Sequence, residues 1–553
     1  MAPPADVDVA VVGAGIAGLT AAALLAHEGI SVELMEAHHQ SGGCAGTFRR
    51  GPWTFDVGAT QVAGLEAGGI HARIFAQLGV EPPAATRLDP GCVVNLGDGS
   101  PAVRIGRDPA AWRRERLERF PGSGRFWALC DALHSANWAF AARDPVLPPR
   151  SWWDLGQLLG ALGPANLASG LLTTATMADL QRLSGCAGGE AGRRLRHFLD
   201  LQLRLYSQEP AERTAALYGA TVLAMVQEPL GLWHLEGSMQ ALASRLEQAL
   251  ARDGGRLRLR HRLEGLRPPA QPGTPWSLKG QGPGGVPFTL TAREVVLTLP
   301  PQTLPSLLGE ALPPGYGRRL DSLGEPSGAL VFYGVVDRQR LPADAAPHWQ
   351  FAWDRPGSLF VSISREGDGR APAGQATVTA SVFTPARPWC SAPEVAYQER
   401  KTEALAGIQA GLEPLLGIAA ADWLHAELAT PRGWAHWTGR PFGYVGGLGQ
   451  HPSRFGPFGL ASRTPLGGLW LCGDAIHPGE GTAGVSLSAL MACRQLLAAR
   501  GRSLRLPERG AEPSPPESQG LAPSAGGKGS SATAPDAASA AGAPSRTRPG
   551  DHR

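Results

Sequence analysis

At 553 residues, 43% hydrophobic and 18% charged, the chain has the make-up of a globular protein with two or more domains, not of a fibrous or wholly disordered one. Its 51 basic and 48 acidic residues leave a formal net charge of +3 without a basic run interleaved with aromatics, so no nucleic-acid partner is expected. Seven scattered cysteines without a CxxC pair support neither a disulfide framework nor a zinc site, and no metal is expected.

The N-terminus runs into an apolar strand near Asp6 without a basic region before it, which argues against a secretory signal and, with the cysteine usage, sets a cytoplasmic expectation. VDVAVVGAGIAGLTAAALLAHEGISVELME then holds Gly13, Gly15 and Gly18 in GxGxxG spacing. With 73 glycines in the chain, about one such match arises by chance, so the spacing alone says little. Context raises it: a β-type run enters the loop, an Ala/Leu-rich helix beginning at Ile16 and Ala17 leaves it, and a second strand delivers Glu36. Gly13 allows the tight turn, Gly15 lets a pyrophosphate approach the backbone, and Gly18 lets helix pack on strand. The helix N-terminus offers unpaired N–H groups to phosphate, and Glu36 can accept from ribose hydroxyls. These residues predict one βαβ dinucleotide half-site, which NAD and FAD share.

The segment after Glu36, HHQSGGCAGTFRRGPWTFDVGA, adds a second glycine pair, Gly42 and Gly43, and resembles the two-dinucleotide-binding-domain flavoproteins, in which FAD lies extended across the protein. His38 and His39 read as solvated loop residues. HLEGSMQALASRLEQALARDGGRLRLRHRLEGL is similar to that family's helix, turn and strand, which implies adenine contacts near Leu263. GGLWLCGDAIHPGEGTAGVSLSALMACRQLL resembles its C-terminal flavin motif. The resemblance places Gly473 and Asp474 at the ribityl or pyrophosphate region. It also aims the helix opening at Thr482, Ala483, Gly484 and Val485 toward the isoalloxazine. His477 and Glu480 lie in that loop and are candidate bases or orienting groups, with turn formation the alternative.

The fold class is therefore α/β, a Rossmann-like FAD domain assembled from residues 1–105, 232–300 and 457–502. Residues 106–231 read as a helical insertion. Within it, Leu155 to Met177 carries no charge, but its glycines and Pro164 break any spanning helix; Trp152, Leu155, Leu159 and Leu162 recur at helical spacing and suit either an interfacial helix, through which substrate enters from a membrane, or buried core. Residues 301–456 read as a substrate domain on a mixed sheet, with Trp437, Phe442 and Tyr444 as candidates to line an apolar cavity or to pack the sheet. The segment 503–553, poor in apolar residues, reads as a disordered tail.

Taken together, GGCAGTFRRGPWTFDVGATQVAGLEAGGIHARIF and CGDAIHPGEGTAGVS identify the chain up to about Arg502 as similar to the carotenoid desaturase and isomerase family, most of all to bacterial carotenoid 3,4-desaturases. The resemblance implies an FAD enzyme on the membrane surface that desaturates a linear or monocyclic carotenoid at C-3′,4′ by hydride transfer to flavin N5. Its electrons would pass to a quinone or to oxygen. A carotene cis-trans isomerase using reduced FAD is the alternative, followed by a flavin amine oxidase or a non-catalytic isoprenoid-binding escort, since fold does not fix activity.

Overall fold

In the computed structural model the described residues are 5–227, 231–271, 273–343, 345–353 and 357–507. Two seven-stranded sheets organise them. The first begins with Val7–Val12, whose apolar residues are almost all buried, as a strand central to a parallel sheet requires. It pairs in parallel with Val32–Met35 on one side and with Pro287–Leu297 on the other; Arg256–Arg258 adds the outer parallel strand beyond Val32–Met35. Pro287–Leu297 changes partners along its length. Its first half is antiparallel to Trp276–Gln281, while its second half lies between Val7–Val12 and the parallel strand Leu469–Leu471. Three strand ends, from the beginning, middle and end of the chain, thus open side by side.

The helix Ile16–His27 is apolar all round because it is covered on every side. Helix Gln240–Arg252 and helix Thr482–Ala499 both pack against it in one core that includes Leu19, Leu24, Leu242, Leu246, Leu490 and Leu497. Among the described residues, Thr482–Ala499 is the one helix long and apolar enough to cross a bilayer, and with 67% of it buried it serves here as a core helix. Leu504 and Leu506 are buried in the same core, and Arg73 donates to the carbonyl of Pro507 at 3.1 Å. Packed structure thus extends past the tail boundary expected at 503; residues 508–553 lie outside the described ones.

The second sheet runs His425–Ala429, Gly328–Asp337, Gln375–Thr384, Gly357–Ile363, His348–Trp353, Cys92–Asn95 and Val103–Ile105. Its last two strands correct the boundary drawn at 105: they extend this sheet, not the first, because Trp349 to Phe351 pair in parallel with Val93 to Asn95. Nothing local in CVVN distinguishes the two destinations. Helices from Pro109–Arg119 to Ala216–Val226 form a separate apolar cluster that includes Trp112, Phe126, Phe198 and Leu223.

One polar network ties the second sheet to the helix Gln240–Arg252 that packs in the first core. Arg370, on the loop before Gln375–Thr384, donates to Asp56 Oδ2 through Nε at 3.2 Å and Nη2 at 3.0 Å, and through Nη1 to Asp368 Oδ2 at 3.1 Å and the Leu235 carbonyl at 3.0 Å. Asp56 Oδ1 in turn accepts the Met239 N–H at 2.8 Å, at the start of helix Gln240–Arg252. The side chains of Arg370, Asp56, Asp368 and His234 are all within 5% of full burial, so the Arg370, Asp56 and Asp368 charges depend on their partners.

Candidate active site

The strand ends open into one cavity of 1490 Å³. Sites in open α/β sheets form at such carboxyl ends. Gly13 turns there with φ +98°, and a Cβ on it would stand 2.4 Å from Thr298 Oγ1. Thr298 Oγ1 donates to the Val12 and Gly13 carbonyls, locking the turn to the neighbouring strand. A Cβ on Gly18 would lie 1.8 Å from the Gly13 carbonyl oxygen, so helix and strand touch backbone to backbone. At Gly15 a Cβ would meet no atom within 4 Å: its open side is the cavity.

The second glycine pair lies against the first loop. Gly42 donates to the Ala14 carbonyl at 2.8 Å, and a Cβ on Gly43 (φ +57°) would come within 3.1 Å of Gly15 Cα. Glu36 accepts the Ala14 N–H at 2.7 Å on one oxygen and the His38 N–H at 2.8 Å on the other, which fixes its carboxylate at the cavity edge. On the opposite wall are Gly473, Asp474 and the first turn of Thr482–Ala499, whose residues Thr482, Ala483, Gly484 and Val485 all face the cavity. The N–H groups of Thr482, Ala483 and Gly484 precede the first helical bond, which Val485 makes to the Gly481 carbonyl at 2.9 Å, and the dipole makes this end positive. Asp474 is paired with Arg440 at 2.7 Å. Burial works against the Arg440 charge, but neighbouring Asp474 overcomes it and raises the guanidinium pKa.

Several expected residues fall elsewhere. Leu263 is buried in the strand Arg262–Arg267 and is not in the cavity wall. Tyr444 is buried, with Phe442 at 5.7 Å, and neither borders the cavity; the Arg387 guanidinium stacks 4.1 Å from the Phe442 ring centroid. Their proposed role as cavity lining is corrected: both pack a joint between helices and sheet. Trp437 borders the cavity, 60% exposed, with its ring edge-on to His38 at 5.8 Å, beside Glu36 and away from the apolar arm.

That apolar arm comes from the insertion and includes Trp138, Phe140, Leu158, Leu162, Leu217 and Met225. The same cavity is also lined by Tyr206, Tyr218, Phe455, His477 and Glu480. Phe455 lies 5.3 Å from the His477 ring, and Tyr218 donates to the Tyr206 carbonyl at 2.8 Å. Burial lowers the His477 pKa to about 4, so the imidazole is neutral. Burial raises the Glu480 carboxyl to about 8, against the opposing hydrogen bonds from Gln208 and the Gly447 N–H. Gln208, absent from the sequence reading, carries no local signal, since it sits 272 residues from Glu480.

Among the described residues, the cavity walls hold buried polar atoms without a hydrogen-bond partner at Gln61 Nε2, Trp434 Nε1, Arg440 Nε, His477 Nδ1 and Glu480 Oε1. Buried polar groups are normally paired, so these point to a polar ligand against glycine backbone and a helix N-terminus. An extended flavin dinucleotide fits the donors among them: phosphate for the Gly13–Gly18 turn, ribose for Glu36, and a ring with carbonyls and nitrogens for Gln61 Nε2, Trp434 Nε1 and Arg440 Nε.

Fold and cradle together define a two-domain FAD-binding oxidoreductase. The match to the family described as flavin containing amine oxidoreductase runs over residues 16–497, and the chain belongs to that family, with FAD as its cofactor. Chloroplastic prolycopene isomerase of Arabidopsis thaliana is 24% identical over 525 residues, 89% of this chain and 82% of the relative. The carotenoid 3,4-desaturase of Haloarcula japonica is 36% identical over 162 residues, 28% of this chain and 32% of the relative. Among solved structures, cyclohexylamine oxidase from Brevibacterium oxydans IH-35A superposes with a TM-score of 0.54 at 18% identity over 89% of this chain and 100% of that one. Wild-type putrescine oxidase bound to putrescine gives 0.57 at 19% over 90% and 99%. These likenesses establish the shared fold.

Proposed function

We propose that this flavoprotein acts on a carotenoid, introducing a double bond at C-3′,4′ of a linear or monocyclic substrate. The observation that carries the reading is the continuity of the cofactor cradle with a long apolar arm. At 1490 Å³ the cavity exceeds the roughly 300–1,000 Å³ usual for a single ligand, leaving room for a second, extended molecule beside the cofactor. In this reading Gly13, Gly15, Gly18, Glu36, Gly42 and Gly43 hold the nucleotide and pyrophosphate, while Asp474 and the Thr482–Val485 turn hold the ribityl chain and ring. When bound, FAD supplies a two-electron acceptor for an allylic hydride. The protein's own part is to lay the polyene end in the arm, exclude water with Tyr206, Tyr218 and Phe455, and receive the proton from the neighbouring carbon.

Substrate of this kind resides in membranes, and the insertion offers a way in. Trp152 is 88% exposed and Leu171 85%, with Leu159 and Leu167 also outside, in a stretch whose Leu158, Leu162 and Gly170 border the cavity. An exposed apolar patch around a cavity mouth suits a monotopic contact with the membrane surface, from which a quinone, or else oxygen, would take the electrons. Isomerisation with reduced flavin is the second reading, favoured by the similarity to prolycopene isomerase over most of the chain.

The test is expression in carotenoid-producing bacteria, with extracted pigments compared against an Asp474→Ala control. Loss of about two mass units per new double bond, with a red-shifted spectrum, supports desaturation. Loss of cis isomers at unchanged mass replaces it with isomerisation. Unchanged pigments, with peroxide released from amines, replace both with an amine oxidase; unchanged pigments that co-purify with FAD-free protein replace them with an escort.

A further inference from the structure

Gln208 ends the helix Gly189–Ser207 in the left-handed region, φ +57°, a conformation that a non-glycine residue holds only when its surroundings impose it. Its side chain shows what imposes it. Oε1 accepts the Ser327 N–H at 3.2 Å, while Nε2 donates to the Gly447 carbonyl at 3.1 Å and to Glu480 Oε2. One amide thereby joins three segments remote in sequence and ends on the loop of the C-terminal flavin motif. Gly446 leaves room for this: a Cβ there would stand 2.1 Å from Gln208 Nε2.

Glu480 is thus held asymmetrically. Oε2 accepts from Gln208 and from the Gly447 N–H at 3.1 Å, whereas Oε1 has no protein partner although it is buried. The cations and anions around it are already committed. Arg440 is taken by Asp474, and Glu209, next to Gln208, is paired with Arg213 and Arg454. His477 is neutral, and the phenol of Tyr218 is pushed well above its ordinary range by burial and by the nearby Glu480 charge. Among the described residues no uncommitted cation therefore neutralises Glu480, and its surface borders the same cavity as the apolar arm.

We propose that Glu480 is the proton-accepting residue of the site, taking up at Oε1 the proton that the substrate loses, and that Gln208 is its positioning residue. This rests on the desaturase reading. The C–H bond next to the carbon that gives up hydride breaks; its electron pair becomes the new C=C bond and its proton goes to Oε1. FAD, when bound, would supply the acceptor for the hydride and its two electrons, so atoms and charge balance. A carboxyl whose pKa is raised to about 8 keeps its proton at pH 7 and ionises above it. The proton-accepting form therefore grows, and the step accelerates, as pH rises through about 8.

The holoenzyme with a linear carotenoid in detergent, mixed anaerobically, tests this through the rate of flavin bleaching between pH 6 and 10. Glu480→Gln preserves the acceptor for Gln208 and Gly447, and should retain FAD while losing roughly 10²–10⁴ in rate together with the pH limb. Glu480→Asp should restore part of the rate, and Gln208→Ala should displace the pH limb while leaving FAD content unchanged. In parallel, infrared difference spectra of carbon-13 glutamate-labelled holoenzyme without substrate should show a protonated carboxyl band that fades as pH rises and is missing in Glu480→Gln. Wild-type turnover matched by Glu480→Gln overturns the proposal and leaves the desaturase reading standing. Wild-type protein inert toward carotenoid overturns that reading, and the infrared band then decides whether Glu480 titrates in this range. A band already absent at pH 7 overturns the proposal in either case.

Discussion

Replacing Arg370 by Met keeps the apolar stem and removes the cation that ties the loop before Gln375–Thr384 to Asp56 and, through it, to helix Gln240–Arg252. The guanidinium is 4% exposed on its side chain, makes two bonds to Asp56 and one to Asp368, and those carboxylates are 3% and 5% exposed. Neither has another cationic arginine or lysine within bonding distance among the described residues. Removing one member of a buried ion pair costs about 3–5 kcal/mol, most of it the penalty of leaving a charge buried without its partner. Asp56 also fixes the Met239 N–H at the start of the helix that carries Gln240 to the Gly42 turn, so FAD affinity should fall along with stability. Urea unfolding of the apoprotein, followed by tryptophan fluorescence, should show a loss of that size at pH 7. A variant carrying Arg370→Met, Asp56→Asn and Asp368→Asn should recover part of it. The pH dependence supplies a further check. Burial opposes the Asp368 charge, but the His234 hydrogen bond and the Arg370 charge outweigh it and hold the carboxyl below its ordinary range. Its stabilising contribution is therefore present above the unfolded value near 4 and is lost as pH falls through the folded value. Arg370→Met should flatten that acid limb. A loss under about 1 kcal/mol, or a triple variant no more stable than the single one, would refute the reasoning.

Gly15→Ala and Gly18→Ala should separate ligand binding from folding. The first meets nothing in the protein and should leave apoprotein melting unchanged while lowering FAD affinity at least about tenfold, whereas the second drives a methyl into the Gly13 carbonyl and should destabilise the fold by several kcal/mol. Fluorescence titration with FAD and thermal melts of the apoproteins decide this, and equal damage to both properties in both variants would contradict the site. For the membrane contact, Trp152→Ser with Leu171→Ser removes two large exposed apolar side chains, each worth about 1.5–3 kcal/mol when fully buried in an apolar phase. Co-sedimentation with phospholipid vesicles should weaken at least about tenfold with FAD content intact; unchanged sedimentation, or none by the wild type, would refute the proposed contact.

The glycine turns were legible in the sequence because much of their chemistry is local: Gly13 answers to the positive φ of its turn and Gly18 to the Gly13 carbonyl, both within a single strand–turn–helix unit, and the helix after Gly481 announces itself by composition. Phe442 and Tyr444 were not, since an aromatic stretch without periodicity looks the same whether it packs a joint or borders a cavity, and only Arg387 at Phe442 reveals which. The boundary at 105 kept Cys92–Asn95 and Val103–Ile105 with the first domain because their partner, His348–Trp353, lies some 250 residues onward. Arg370 and Gln208 escaped notice for the same reason. One sits in a turn-like GDGR run and the other after a polar helix end, and each acquires its meaning only from partners that the chain brings in from afar.

The core around helix Ile16–His27 also carries a consequence for how the protein comes into being. The helix that covers it, Thr482–Ala499, is the last long element of the described chain. At roughly 5–20 residues per second, a ribosome needs about 20–90 s to deliver the second helix after the first. During that interval the nucleotide turn exists with one flank bare, an apolar surface waiting for its cover. The finished cradle can thus receive its dinucleotide only after synthesis of the folded part is complete, and a nascent chain halted before residue 482 would expose that surface to chaperones and to its neighbours.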